Sequence, residues 1–291
     1  MIPKEITSAL ESYFQKHNQS GEILSSRSIG GGSINSAYQI NTAKSQYFLK
    51  YNSAAYPNMF ESEFKGLELL AGSHSIRIPK TLFYYEGKAY SCLLMEYIES
   101  GGKNAEFWKL FAEQLAKMHR SSSDFFGLSF DNYMGSLPQS NQKHTDFVEF
   151  FINERLIPQV KLARDSSFMS RQNLRQMESL YRELGNIFPK ETPALVHGDL
   201  WSGNFMNDEM GHPVIMDPAV YYGHREVDIA MTTMFGGFSS DFYDHYNSYY
   251  PMEPGWQSRM DYYKLYPILI HVNLFGASYL YDLQRIISSF A

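Results

Sequence analysis

Apolar residues recur along this chain with two periods, and the period changes near residue 100. Before that point, EILSSRSIGGGSINSAYQINTA and SQYFLKYN alternate and turn like strands of a meander, with glycines and the stretch 41–45 as punctuation. NMFESEFKGLELLAG then spaces Phe60, Phe64, Leu67 and Leu70 along one helix face, which Gly72 ends. KTLFYYEG and AYSCLLMEYIE read as two further strands that turn at 86–88. After ESGGKN the pattern becomes helical, in AEFWKLFAEQLAKMHRSS, HTDFVEFFINERLIPQVKLA and SRQNLRQMESLYRELGNIF. Short strands return only around ALVHGDL and NFMNDEMGHPVIMD; the remainder is helical and aromatic-rich. The pattern predicts an α+β protein of two lobes. Residues 1–98 form a small antiparallel-sheet lobe with one main helix, and 99–291 form a larger, mainly helical lobe.

Composition narrows the class. With 291 residues, 44% hydrophobic and 19% charged, the chain has the material for a large core and is not of disordered type. Its net charge of -6 argues against nucleic-acid binding, which uses a basic face. Charges interrupt residues 1–20 throughout, unlike a signal peptide. No apolar run approaches the ~18 residues of a membrane span. The longest candidate, LYPILIHVNLFGASYLY, carries His271 and Asn273 and reads as a buried helix whose polar groups are satisfied in the core. A single cysteine, Cys92, excludes an internal disulfide and fits a reducing compartment. The expectation is a soluble, cytoplasmic protein with neither nucleic-acid nor membrane partners.

The densest chemistry lies in LVHGDLWSGNFM. Asn204 follows Asp199 by five positions, the H-x-D-x-x-x-x-N spacing of kinase catalytic loops. There the aspartate accepts the acceptor hydroxyl's proton and the asparagine holds a metal ion. The segment after Asn204 reads as a hairpin, NFMN, a turn at 208–212, and PVIMD, which folds Asp217 back toward Asn204. A carboxylate and an amide oxygen together suit Mg2+, whose remaining ligands come from phosphates. Each residue alone also fits a turn cap or a solvated strand end; three at this spacing favour function. In the first lobe, Gly30, Gly31, Gly32 and Ser33 interrupt two strands where backbone N–H groups could approach phosphate. Lys50 ends the next strand, and Glu61 or Glu63 on the helix could pair with it, Glu63 being better aligned. Glu96, Tyr97 and Ile98 would offer backbone groups to an adenine.

The chain resembles the fructosamine kinase (ketosamine-3-kinase) family, within the protein-kinase-like and aminoglycoside-phosphotransferase-like group. The resemblance is carried by HGDLWSGN, DPAVYYGHREVDIAMTTMFGGF and LYPILIHVNLFG and runs from about residue 22 through most of the chain. It implies a two-lobed protein-kinase-like fold and ATP- and Mg2+-dependent phosphorylation of the 3-hydroxyl of a ketosamine, a small molecule or a glycated protein. The phosphorylated product sheds its sugar, which makes the reaction deglycation. Carried over by position, Asp199 resembles the catalytic base, Asn204 and Asp217 the metal ligands, and Lys50 the phosphate-binding lysine. Glu63 resembles that lysine's ion-pair partner, and Gly30 to Ser33 the phosphate-covering loop. Asp228 resembles a buried aspartate that braces the catalytic loop; read from the residues alone it equally fits a helix cap before IAMTTMF. Trp201, His224, Arg225 and Glu226 fall where acceptor contacts are expected.

Two departures bear on regulation. Ser33 stands where some relatives carry a cysteine, so no redox switch is expected in that loop. Gly198 replaces the arginine with which many protein kinases read a phosphorylated activation loop, and no A-P-E sequence follows Asp217. Constitutive activity is expected. The alternatives are an aminoglycoside or choline phosphotransferase, or a catalytically silent nucleotide-binding protein.

Overall fold

The structure, a computed structural model, describes residues 2–17, 22–30 and 34–290. The chain divides into two compact units, Met1–Leu110 with Gly203–Pro218, and Phe111–Ser202 with Ala219–Ala291. The boundary expected at 98/99 therefore falls later. The hairpin expected in the second lobe folds instead with the first.

The first unit begins with helix α1 (Lys4–Lys16), followed by β1 (Ser25–Ile29), β2 (Ser36–Asn41) and β3 (Gln46–Ser53). Helix α2 (Met59–Gly72) then precedes β4 (Thr81–Glu86) and β5 (Tyr90–Glu96). The five strands form one antiparallel sheet in the order β1-β2-β3-β5-β4. Strand alternation gives the sheet two chemically distinct faces. On one, Ile40, Tyr47, Leu49, Cys92 and Leu94 bury against Ile6, Leu10 and Phe14 of α1, an apolar stripe at helical spacing. The sheet thus has a second helix where one was expected. α2 packs on β4 and β5, burying Phe60, Leu67 and Leu70, while Phe64 meets the Tyr84 ring.

Helix α3 (Phe107–Met118) carries the chain into the second unit. There follow the hairpin β6 (Asn132–Met134) and β7 (Leu137–Gln139), then α4 (Phe147–Phe150), a π-turn over Phe151–Leu156, α5 (Ile157–Asp165) and α6 (Arg171–Ile187). Pro158 brings no N–H to the carbonyl of Glu154, which accepts from the Arg155 guanidinium instead. Ser170 and Asn173 form a reciprocal capping box that starts α6. Strand β8 (Ala194–Val196) leads to the catalytic-loop motif. The expected hairpin is β9 (Phe205–Asn207) and β10 (Pro213–Ile215) of the first unit.

Strand β11 (Tyr221–Gly223) returns to pair with β8, a long-range pairing that local pattern does not reveal. The chain ends in α7 (Glu226–Thr232), α8 (Ser240–Tyr249), α9 (Trp256–Tyr263), α10 (Leu265–Phe275) and α11 (Leu280–Ile287). The segment read as one long buried helix is broken at Gly276, whose φ of 88° ends α10 before a single 3-10 turn. Among the described residues no helix is long and apolar enough to cross a membrane.

Leu10 is fully buried between α1 and the sheet. Leu10→Ala should lower unfolding stability by about 2–5 kcal/mol, read as a fall in the urea midpoint at unchanged slope. A loss below about 1 kcal/mol would show that α1 contributes little to the first unit.

Candidate active site

In the first unit the sheet's alternation turns Leu49 toward α1 and Lys50 to the opposite face. Lys50 is 6% exposed, and its Nζ lies 2.7 Å from Glu63 Oε1 on α2 and 3.0 Å from Asp217 Oδ1. Burial alone would depress the lysine's pKa. The carboxylates of Asp217 and Glu63 more than offset this and hold it above its ordinary value, so the ammonium stays charged. Glu61, the other helix candidate, pairs with Lys65 one turn along.

Asp217 adopts the left-handed region, φ 56°, which costs a non-glycine residue energy and persists where the surroundings hold it. The Asn204 amide nitrogen donates to the Asp217 carbonyl at 3.4 Å, and Met216 N–H donates to the Asn204 carbonyl at 3.0 Å. The hairpin ends therefore sit together. With the amide nitrogen so engaged, the amide oxygen is the atom Asn204 would give a cation. One carboxylate and one amide oxygen are hard donors that fit Mg2+. Among the described residues no group of three or more His, Cys, Asp or Glu side chains is placed to hold a metal ion, so such a cation would complete its shell with phosphate and water. Gly30 follows β1; Gly31, Gly32 and Ser33 lie outside the described residues. The Glu96 N–H donates to the Lys80 carbonyl, and its carboxylate bonds Arg77 and the Lys80 N–H. Tyr97 is half-buried and Ile98 buried.

In the second unit, Asp199 follows β8 on a loop fixed from beneath. Asp228 of α7, fully buried, accepts the backbone N–H groups of His197 at 2.7 Å and Gly198 at 2.8 Å. The Asp228 carboxylate also meets His119 Nε2 at 3.1 Å, and His119 Nδ1 bonds the Tyr246 hydroxyl at 2.7 Å. A carboxylate only accepts, so Nε2 carries the proton it shares with Asp228. His119 was missed from sequence. Its signal is a histidine four residues after Leu115 on the buried face of α3. Above the loop, Ala219 N–H donates to the His197 carbonyl, and Gly198 has a φ of 83°. A Cβ on Gly198 would stand 2.1 Å from the Ala219 oxygen, so only glycine fits. That oxygen accepts from Gln139, which also accepts from the Tyr266 hydroxyl and donates to Asn132.

Four residues were expected near the acceptor, and the structure separates them. Trp201 is half-buried, edge-on to Phe235, whose ring adjoins His271. His271 is ringed further by Phe275 and Tyr279, and its Nδ1 bonds the Pro267 carbonyl. His224, Arg225 and Glu226 do not fit the acceptor role, because all three are buried and engaged within the second unit. His224 stacks on Phe147 at 3.7 Å and bonds the Tyr263 hydroxyl. Arg225 pairs with Glu191 and donates to the carbonyls of Tyr250 and Pro251. Glu226 pairs with Arg259 at 2.6 Å. Asn273 donates to Gln159, although its own side-chain oxygen is buried without a partner, so the expected satisfaction is incomplete.

Phosphoryl transfer from a nucleotide needs a fixed cation for the phosphates, oxygen ligands for a metal, and a carboxylate to receive the acceptor's proton. Lys50, Asn204 with Asp217, and Asp199 are residues of the kinds this requires, on a fold of the protein-kinase-like class. Its structure superposes on aminoglycoside phosphotransferase APH(4)-Ia bound to AMP-PNP and hygromycin B with a TM-score of 0.66 at 15% identity, covering 98% of this chain and 99% of that one, which shows the fold alone. It is a kinase. The fructosamine kinase family model matches residues 6–291, and the chain belongs to that family. A "Probable ketoamine kinase" of Synechocystis is 40% identical over 274 residues, 94% of this chain and 92% of that protein. A chloroplastic protein-ribulosamine 3-kinase of Arabidopsis thaliana is 38% identical over 276 residues, 92% of this chain and 83% of that protein. A crystal structure from Thermobifida fusca, assigned as a fructosamine-3-kinase, gives a TM-score of 0.87 at 29% identity over 97% of this chain and 98% of that one.

Burial, then the charges of Arg259 and Arg225, push the His224 pKa down to about 3. An unfolded histidine titrates near 6.5, so between about 6.5 and 3 the unfolded chain binds a proton the folded chain refuses. Stability present above pH ~6.5 is therefore lost as pH falls, by up to about 1.4 kcal/mol per unit from this residue. Urea midpoints from pH 7 to 5 should fall more steeply in the wild type than in His224→Gln. Identical slopes would remove His224 as a source of acid sensitivity.

Proposed function

We propose that this kinase transfers the γ-phosphate of Mg·ATP to the 3-hydroxyl of a ketosamine, a sugar-derived ketoamine on a free or protein-bound amine. Lys50 would neutralise phosphate charge as a cation already fixed by Glu63. Asn204 and Asp217 would hold the Mg2+, which when bound offsets charge on the β- and γ-phosphate oxygens. Gly30 to Ser33 would cover the phosphates, and the Glu96 to Ile98 backbone would meet the adenine. Asp199, held by the Asp228 brace, would orient the acceptor hydroxyl and take its proton. The names of the relatives support the ketoamine acceptor. We place the reaction in the cytoplasm, as the single buried Cys92 and the absence of a membrane-spanning helix among the described residues allow.

The observation that carries the acceptor reading is the character of the surface around Trp201. An aminoglycoside is a polycation and calls for several carboxylates beyond those committed to metal. In the segment after Asp217 the acids are Glu226 and Asp228, and both are buried and engaged by Arg259 and the catalytic loop. Trp201 has aromatic neighbours instead, Phe235 and beyond it His271. Rings of this kind stack on a sugar face or take a single ammonium. A quaternary ammonium would suit them too, which makes choline the sharper control.

An assay over fructose- and ribulose-derived amino acids, kanamycin and choline should give kcat/KM for a ketoamine at least ~10²-fold above either control. The product should carry phosphate on the sugar's third carbon and release its amine spontaneously. Comparable rates on kanamycin or choline, or a stable phosphorylated product, would overturn the acceptor and leave the kinase standing.

A further inference from the structure

Arg77 lies between α2 and β4, in a stretch with no motif, yet it engages three acids of the first unit. Its guanidinium reaches Asp208 Oδ2 at 2.7 Å, Glu96 Oε1 at 2.9 Å and Glu209 Oε2 at 3.3 Å. Its backbone takes part as well. The Arg77 carbonyl accepts the Ile215 N–H at 3.2 Å, in a parallel bridge between Arg77 and Val214. Arg77 therefore grips the β9–β10 hairpin at two places, its turn through Asp208 and its second strand through Ile215. Through Glu96 it ties both to the end of β5.

That hairpin is short and carries the proposed metal pair at its open end. Asn204 immediately precedes β9, and Asp217 lies two residues past Ile215. Asp208 itself is 3% exposed and accepts the N–H groups of Met210 and His212 across the turn. A side chain that fixes the turn and the returning strand sets where the two ligands stand relative to Lys50. Arg77 suits this task because its planar fork bonds two carboxylates at once and keeps its charge; a lysine could meet only one of them well. The hairpin does not depend on Arg77 to exist. Its turn is bound separately to the connector, by Gly101 N–H to the Asp208 carbonyl and by the Asn207 amide to the Gly101 carbonyl.

We propose that Arg77 is a positioning residue for the metal-binding pair: bridging Glu96 and Asp208, it holds the β9–β10 hairpin so that Asn204 and Asp217 meet the nucleotide's divalent cation. The inference rests on the reading of Asn204 and Asp217 as metal ligands. Partners that touch metal ligands directly typically govern metal affinity by about 10–100-fold; Arg77 acts one step further out, through the hairpin, so the low end is expected.

The test measures ADP affinity by calorimetry with and without Mg2+, together with steady-state kinetics, in Arg77→Met, Arg77→Lys and Asp217→Ala. In folded Arg77→Met the Mg2+-dependent gain in ADP affinity and the KM for Mg·ATP should each worsen about tenfold. Metal-free ADP affinity and acceptor KM should stay within about twofold, a split that general loosening of the fold would not produce. Arg77→Lys should fall between, about two- to fivefold, and it carries the test alone if Arg77→Met does not fold. Unchanged Mg2+ dependence in a folded Arg77 variant, or an equal loss in metal-free ADP affinity and acceptor KM, would overturn the proposal. Asp217→Ala separates the two readings. If it too left the Mg2+ dependence unchanged, the metal assignment would fail; if it alone abolished that dependence, only the role of Arg77 would.

Discussion

A buried ammonium is the constraint around which the candidate site of the first unit is arranged. Lys50 sits in a β-strand with almost no exposure, and an uncompensated charge there would be too costly to keep. Its compensation comes from two places distant in sequence, Glu63 on α2 and Asp217 after β10. The same two contacts therefore fix a helix and a hairpin against the sheet. Buried ion pairs of this kind are weak evidence for stability, because their desolvation nearly cancels their attraction. What they secure is position. α2 meets the sheet so that Glu63 reaches Lys50, and Asp217 accepts a left-handed backbone to do the same.

The second unit solves a different problem, that of holding a loop still without touching what the loop will bind. Asp228 does this from below through two backbone N–H groups, and the Ala219 carbonyl lies so close above Gly198 that no side chain fits. Asp199 is thus placed through the backbone of its neighbours. The family-specific stretch YYGHREVD supports that arrangement. β11 pairs with β8 beneath the loop, Arg225 and Glu226 are fully matched by Glu191 and Arg259, and His224 fills an aromatic stack with Phe147. A motif can be narrow because its core tolerates few substitutes. Here that explains the specificity better than substrate contact does.

Strands, helices and the β9–β10 hairpin were legible because each is a local pattern: alternation in SQYFLKYN, helical spacing in NMFESEFKGLELLAG, turn residues between NFMN and PVIMD. Asn204 could be singled out by its known spacing from Asp199, and Lys50, Glu63 and Asp217 by their places on a strand, a helix and a hairpin. What stayed hidden needed contacts between distant segments. Nothing in ALV or YYG announces the β8–β11 pairing, and nothing in RIPK shows Arg77 reaching Asp208. Exposure was hidden as well. A histidine, an arginine and a glutamate in a row read as a surface binding edge, and only tertiary burial reveals them as a matched interior network. The lobe boundary moved for a like reason, since the hairpin's partners lie in the first unit although its sequence neighbours lie in the second.

The central claim is that the Lys50 ammonium serves the nucleotide and is dispensable to the fold once its desolvation is removed with it. Replacing Lys50 together with its buried partner, Lys50→Met with Glu63→Leu, tests this directly, because apolar substitution of a buried pair is often neutral or stabilising and the remaining partner, Asp217, is exposed enough to be solvated. The double variant should melt within about 4 °C of the wild type. It should nonetheless turn over at least ~10²-fold more slowly, the loss expected when a preorganised charge is withdrawn from a developing phosphate charge. Turnover within about tenfold of wild type in that folded variant would contradict the account.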